Sequence, residues 1–269
     1  MRRSERIIRV VRALQERPNQ QISLSELAEE YGVAKSSLSE DVALIRDVLE
    51  ADGAGTVVSL TGAGGGVLLR PRVPERDRQL FFADMCQRLS DSSRLLPGGF
   101  LYMSDILGDA SVLDMAGRLF AERFQDSNAN VVVTVETKGI PLACATAHYL
   151  NVPVVIVRRD HKVTDGAALT AHYVSGSERR IQTMSISKRA LPPEARVLIV
   201  DDFMKAGATA KGVSSLVKEF ASSVVGTAVF VTTSEPTGKL VPSPVALFTV
   251  GQLEEENEIQ VWAQTDWRV

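Results

Sequence analysis

Apolar residues recur at helical spacing through the first fifty positions and then give way to short uninterrupted runs. Ile7, Ile8, Val11 and Leu14 predict a helix from Ser4, a candidate cap, to about Arg17, where Pro18 stops it. Ser23 followed three positions later by Glu26 has capping-box spacing. It opens a second helix whose inward face is Leu24, Leu27, Ala28 and Tyr31. Gly32 ends that helix, and Leu38, Val42, Ile45 and Leu49 form the stripe of a third over Ala34–Leu49. Thr56–Leu60 and Val67–Arg70, flanking a glycine-rich turn over Thr61–Gly66, predict a β-hairpin. Pro71 and Pro74 then mark a linker.

Beyond the linker the period changes. Glu75–Asp91 reads as a helix with Leu80, Phe81, Met85 and Leu89 inward. Phe82 and Cys86 widen its apolar face enough for domain docking or dimerisation. Gly98–Met103 is a candidate strand and Ala110–Phe124 a helix. From Asn130 strands and helices alternate. Val131–Val135, Val152–Val157, Val197–Val200, Val224–Val231 and Val245–Val250 are strands; Ile140–Leu150 and Ala208–Phe220 are helices. Continuously apolar strands in this rhythm imply an α/β fold with a parallel sheet covered on both faces. Ligands of such sheets bind beyond the carboxyl ends of the strands. A long polar insertion, Arg158–Pro193, carries alternating segments at Leu169–Val174 and Ile181–Ile186.

With 45% hydrophobic and 23% charged residues, the 269-residue chain is a globular sequence long enough for two domains. No apolar run approaches the roughly 20 residues of a membrane span, and the charged N-terminus lacks the apolar block of a signal peptide. Cys86 and Cys144 stand apart, as thiols of a reducing cytoplasm do. His148, His161 and His172 have no metal spacing. A net charge of −3 does not advertise nucleic acid, but Arg2, Arg3, Arg6, Arg9, Arg12 and Arg17 crowd the first turns of the chain, either as a local basic surface that steers toward phosphate or as a solvated helix face. Lys35, Ser36, Ser37 and Ser39 open the third helix with groups suited to base edges and phosphates. Helix, helix-turn-helix and hairpin in one block resemble a winged-helix DNA-binding domain. Its contacts would be Arg2, Arg3 and Arg6, the Lys35–Ser39 turn, and Gly64 and Gly65 of the wing. A winged helix that docks on protein is the alternative.

Candidate chemistry lies in Val197–Thr209, VLIVDDFMKAGAT. Asp201 and Asp202 can accept hydrogen bonds from neighbouring ribose hydroxyls. Lys205, Ala206, Gly207, Ala208 and Thr209 form a small-residue loop at a helix N-terminus, where free N–H groups and the helix dipole stabilise a phosphate. The stretch strongly resembles the phosphoribosyl pyrophosphate (PRPP) motif of type I phosphoribosyltransferases. That resemblance implies pyrophosphate contacts by Thr137, Lys138 and Gly139, a nucleotide-side contact by Tyr102, and a flexible arm in Arg158–Pro193. Lys205 and Ala206 depart from the enzyme pattern. A cation stands where some relatives carry an aspartate for proton transfer, which favours anion binding over transfer chemistry.

The segments VETKGIPLA (Val135–Ala143), VRRDHKVTDG (Val157–Gly166), YVSGSERRIQTMSISKR (Tyr173–Arg189) and DDFMKAGAT resemble the purine operon repressors of Gram-positive bacteria. The resemblance implies a winged-helix domain over residues 1–72 and a phosphoribosyltransferase-like effector-binding and dimerisation domain over 73–269. It implies a cytoplasmic homodimer without transferase activity that represses purine biosynthesis and transport genes. PRPP, with or without Mg²⁺, would release it from double-stranded operator DNA, with no obligatory cofactor and no membrane partner. An active purine phosphoribosyltransferase with an accessory winged helix is the rival expectation.

Overall fold

The computed structural model describes residues 1–62, 65–159, 166–174, 181–253 and 259–264. It divides into two units, one of Met1–Gln79 with His148–Asn151, the other of Leu80–Ala147 with Val152–Val269.

The first unit runs α1 (Arg3–Glu16), β1 (Ile22–Ser23), α2 (Leu24–Tyr31), α3 (Lys35–Ala51), β2 (Gly55–Leu60) and β3 (Gly66–Pro71). The strands form an antiparallel sheet in the order β1-β3-β2. The two-residue β1 is too short to betray itself by alternation. Gly66 lets it approach, since a side chain there would strike the Ile22 carbonyl. Ser23 caps α2 by accepting from the Glu26 N–H at 3.3 Å, and Gly32 ends it in the left-handed region at φ 63°. Ser4 is not a cap. The helix starts one residue earlier, and Glu5 reaches back to accept from the Arg2 N–H at 3.1 Å. Val10, Leu14, Leu27, Leu38, Val42, Ile45, Val57 and Leu69 meet in one buried core. Arg46 ties α3 to β2, donating to the Val57 carbonyl at 2.6 Å and to Ser59 Oγ at 2.8 Å.

Helix α4 (Glu75–Leu89) buries Met85 and Leu89, whereas Leu80, expected inward, is exposed. The expected strand over Gly98–Met103 is a short hairpin, β4 (Leu95–Leu96) with β5 (Phe100–Leu101), before α5 (Ala110–Phe124). There follow β6 (Val131–Val135), α6 (Gly139–Leu150), β7 (Val154–Val157), the hairpin β8 (Ala168–Val174) and β9 (Ile181–Ser187), β10 (Arg196–Met204), α7 (Ala208–Glu219), β11 (Ser223–Thr233), β12 (Val245–Val250) and β13 (Val261–Ala263). The main sheet has the order β13-β12-β11-β10-β6-β7. All its pairs are parallel except β12 with β13, an antiparallel edge too short to read from sequence. Every residue of β6 is buried, as a strand covered on both faces requires. Strand β10 continues four residues past Val200. Asp201 and Asp202 are therefore part of the sheet, with Asp201 in register with Val229.

Candidate functional site

The carboxyl ends of β6 and β10 converge. The segment after β6 passes so close to β10 that a Cβ on Gly139 would lie 3.3 Å from Asp201 Oδ1 and collide with Thr134 Oγ1. Only glycine fits there. Thr134 is fully buried, and among the described residues its hydroxyl has no hydrogen-bond partner. Thr137 and Lys138 are exposed above this contact, and the Glu136–Thr137 peptide is cis. Glu136, a residue sequence reasoning passed over, fastens the base of the arm. It accepts from the Arg159 N–H at 2.8 Å and faces Arg158 Nη1 at 3.4 Å.

Asp201 is buried and Asp202 half-buried. The Asp202 N–H donates to Asp201 Oδ1 at 3.0 Å. Burial pushes the Asp201 carboxyl well above the ordinary range. The neighbouring Asp202 charge pushes it the same way, and Arg159 offsets only part of this. Such a carboxyl is suited to hydrogen bonding with hydroxyls held against it.

The loop after β10 is fixed from behind. Lys239 Nζ donates to the carbonyls of Lys205 and Thr233, each at 2.7 Å, and the Leu240 N–H donates to the Ala206 carbonyl at 2.8 Å. Burial lowers the Lys239 pKa. Gly207 takes φ 87° and caps α7 without a side-chain hydrogen bond, so the first-turn N–H groups have no side-chain cap competing for them. Lys205 is exposed, and Ala206, Ala208 and Thr209 are half-buried beside it. The structure thus brings Thr137–Gly139, Asp201–Asp202 and Lys205–Thr209 into one place. Next to them a cavity of about 230 Å³ is lined by Gly99, Phe203, Lys205, Thr233, Glu235 and Leu253. Tyr102 is exposed just beyond the hairpin that contributes Gly99, and its ring is not among the lining groups. Sequence reasoning misses Lys239 because the carbonyl that it binds at Lys205 lies 34 residues away, and Thr134 because only the close approach of Gly139 gives its hydroxyl a role. Among the described residues no group of three or more His, Cys, Asp or Glu could hold a metal ion. The arm positions 160–165 and 175–180, which include His161 and Lys162, lie outside the described residues.

In the first unit, Arg2, Arg3, Lys35, Ser36 and Ser39 are exposed and Ser37 is half-buried. No side chain caps α3, whose N-cap is Ala34, so its first-turn N–H groups suit an anion. Lys35 Nζ donates to Ser25 Oγ at 3.2 Å, and Ser39 Oγ donates back to the Lys35 carbonyl at 3.1 Å. Gly64 lies outside the described residues; the Gly65 N–H donates to the Gly62 carbonyl at 2.9 Å. Arg6 is a correction. It is buried and paired with Asp41, itself fully buried on α3, so it braces the core rather than presenting a cation to DNA. Its spacing to Val10 and Leu14, four residues each, was the available signal.

A model of the bacterial purine repressor N-terminal domain matches residues 2–71, and one of the phosphoribosyl transferase domain matches 104–263. The purine biosynthesis transcriptional repressor of Bacillus subtilis is 44% identical over 97% of this chain and 92% of its own length. A purine biosynthesis transcriptional activator of Lactococcus lactis is 44% identical over 86% of this chain and 85% of its own. Among solved structures, adenine phosphoribosyltransferase from Rhodothermus marinus aligns with a TM-score of 0.50 at 24% identity. It covers 78% of this chain and 99% of that one, a likeness of fold. With a candidate sheet-end site in one unit and an uncapped helix opened by Lys35 in the other, the chain belongs to the bacterial purine repressors, DNA-binding transcriptional regulators of purine biosynthesis.

Proposed function

We propose that this repressor senses PRPP at the ends of β6 and β10 and releases operator DNA when the site fills. The observation that carries the reading is the convergence of three ligand-handling groups on one sheet end. Asp201 and Asp202 hold the ribose hydroxyls. Lys205–Thr209 and the α7 N-terminus hold the 5′-phosphate, and Thr137–Gly139 hold pyrophosphate, with Mg²⁺ arriving on the effector where it is used. Tyr102 stands on the nucleotide side. Residues 1–72 read DNA through Arg2, Arg3, the Lys35–Ser39 turn and the wing. Residues 73–269 bind effector and pair two chains into a cytoplasmic homodimer, matching two-fold operators. Regulated genes include purine transport as well as synthesis.

The site binds without transferring. Lys205 supplies a charge for phosphate and no carboxylate base, so the protein lacks transferase activity. The test is operator-binding anisotropy titrated with PRPP, beside an assay converting purine bases to nucleotides. Asp201→Ala with Asp202→Ala should leave DNA binding intact and abolish release. Release at parental PRPP concentration would sink the effector assignment. The phosphoribosyl transferase match over 104–263 favours one rival, an active enzyme with an accessory domain, and nucleotide formation by the parent would establish it.

A further inference from the structure

Asp41 is a fully buried carboxylate in the middle of the DNA-reading unit, and it is held by two arginines of unequal exposure. Arg6 Nε donates to Oδ2 from a side chain 11% exposed; Arg3 Nε donates to Oδ1 at 3.0 Å from one 60% exposed. Burial alone would raise the Asp41 pKa, yet the hydrogen bonds from Arg6 and Arg3 outweigh it and the carboxyl lies below its ordinary value. One carboxylate needs one cation for neutrality. The second, outer arginine gives the Arg3–Arg6–Asp41 trio one cation more than its carboxylate needs, with Glu40 also acting on Arg6.

We infer that Asp41 is a positioning residue for DNA binding: it grips Arg3 by the Nε edge and thereby aims the exposed terminal nitrogens at a phosphate beside α3. Three observations carry this. Arg3 and Asp41 are 38 residues apart; packing of α1 on α3 brings the two near, and the hydrogen bond then fixes which way the Arg3 guanidinium lies. Asp41 sits four residues, about 6 Å of helix rise, after Ser37, so Arg3 is held next to the turn that faces DNA. A guanidinium has two usable edges in a fixed plane, and a group that spends one on a buried acceptor presents the other with little freedom left to lose. Arg6 neutralises the carboxylate and Arg3 reads it out. The inference rests on the first unit being the DNA reader.

The test is a double-mutant cycle on the full chain, with affinity for duplex from a purine-gene control region measured across salt and thermal melting of each variant alongside. Arg3→Ala should bind about tenfold more weakly at physiological salt, lower the log–log salt slope by about one unit, and melt below the parent because buried Asp41 loses one donor, so its binding is read below its melting temperature. In the Asp41→Leu background, which removes the acceptor, Arg3→Ala should cost at most about twofold below the melting temperature, since the aimed contact is already lost. Arg3→Lys gives a result even if Asp41→Leu fails to fold. A lysine keeps the charge but lacks the second edge, and should recover less than half of the lost affinity on a logarithmic scale. Equal losses in both backgrounds, or parental binding by Arg3→Lys, would overturn the positioning role. An unchanged salt slope in Arg3→Ala would remove Arg3 from the phosphate contacts. A parent that fails to bind the duplex would instead sink the DNA-binding reading itself.

Discussion

Asp201 is held where its charge is unwelcome, and this sets a measurable trade. Its folded pKa lies above the unfolded value of about 4. Its contribution to stability is therefore fully present below that pH and is lost as pH rises through the folded pKa. Above about pH 4 the unfolded chain gives up that proton more readily than the fold does, and this weakens the fold. Asp201→Asn should then raise neutral-pH stability by about 1 kcal/mol or more while weakening PRPP-driven release, read by denaturant melts and operator anisotropy; a stabilised variant with parental release would contradict the assignment. Asp105 illustrates the opposite sign. The Arg94 hydrogen bond lowers its pKa to about 2, so its support for the β4–β5 hairpin is complete above about pH 4 and fades as pH falls toward 2. Hydrogen exchange of the Tyr102 amide, bonded to the Arg94 carbonyl at 2.8 Å, should follow that window. Residue-scale chemistry was readable where neighbours in sequence share a task, as in Asp201–Asp202 and the 205–209 loop. It was not readable for Asp41, whose partners Arg6 and Arg3 lie 35 and 38 residues away, or for the Lys239 contact with Lys205, 34 residues away.

At the scale of elements, the strands and helices of both units follow from periodicity because burial is one-sided in the helices and two-sided in the sheet. The errors fall where that signal is short or shared. β1 and β13, of two and three residues, have no room to alternate. The apolar run of β10 stops at Val200, where two carboxylates follow, although the ladder to β11 runs on to Met204. The segment between β6 and α6 depends on one missing side chain. Gly139→Ala should cost about 1–3 kcal/mol through its collision with Thr134 and raise the PRPP concentration needed for release. DNA affinity without effector should stay parental; an unchanged PRPP response would show that this segment does not line the site.

For the whole molecule, two cores imply two stabilities. Leu14 is buried in the first and Leu216 in the second. Leu14→Ala should destabilise its own unit by about 3 kcal/mol, seen in calorimetry as a lowered transition accompanied by weaker DNA binding at elevated temperature. Direct PRPP binding by calorimetric titration at low temperature should persist. Loss of both together would mean that the units unfold as one. The two-part organisation was visible in the sequence as a change of period at the linker.

The backing of the 205–209 loop sets what can enter. Lys239 and the Leu240 N–H occupy the carbonyls of Lys205 and Ala206, so the loop's acceptors are spent inward while its helix-end donors and the Lys205 ammonium face out. On the proposed reading the loop favours negative charge, whereas Asp201 and Asp202 beside it take the ribose hydroxyls. An uncharged nucleoside with a perfect ribose gains nothing from the loop. Plain inorganic phosphate gains something without any ribose at all, which makes phosphate-buffered assays a hidden competition.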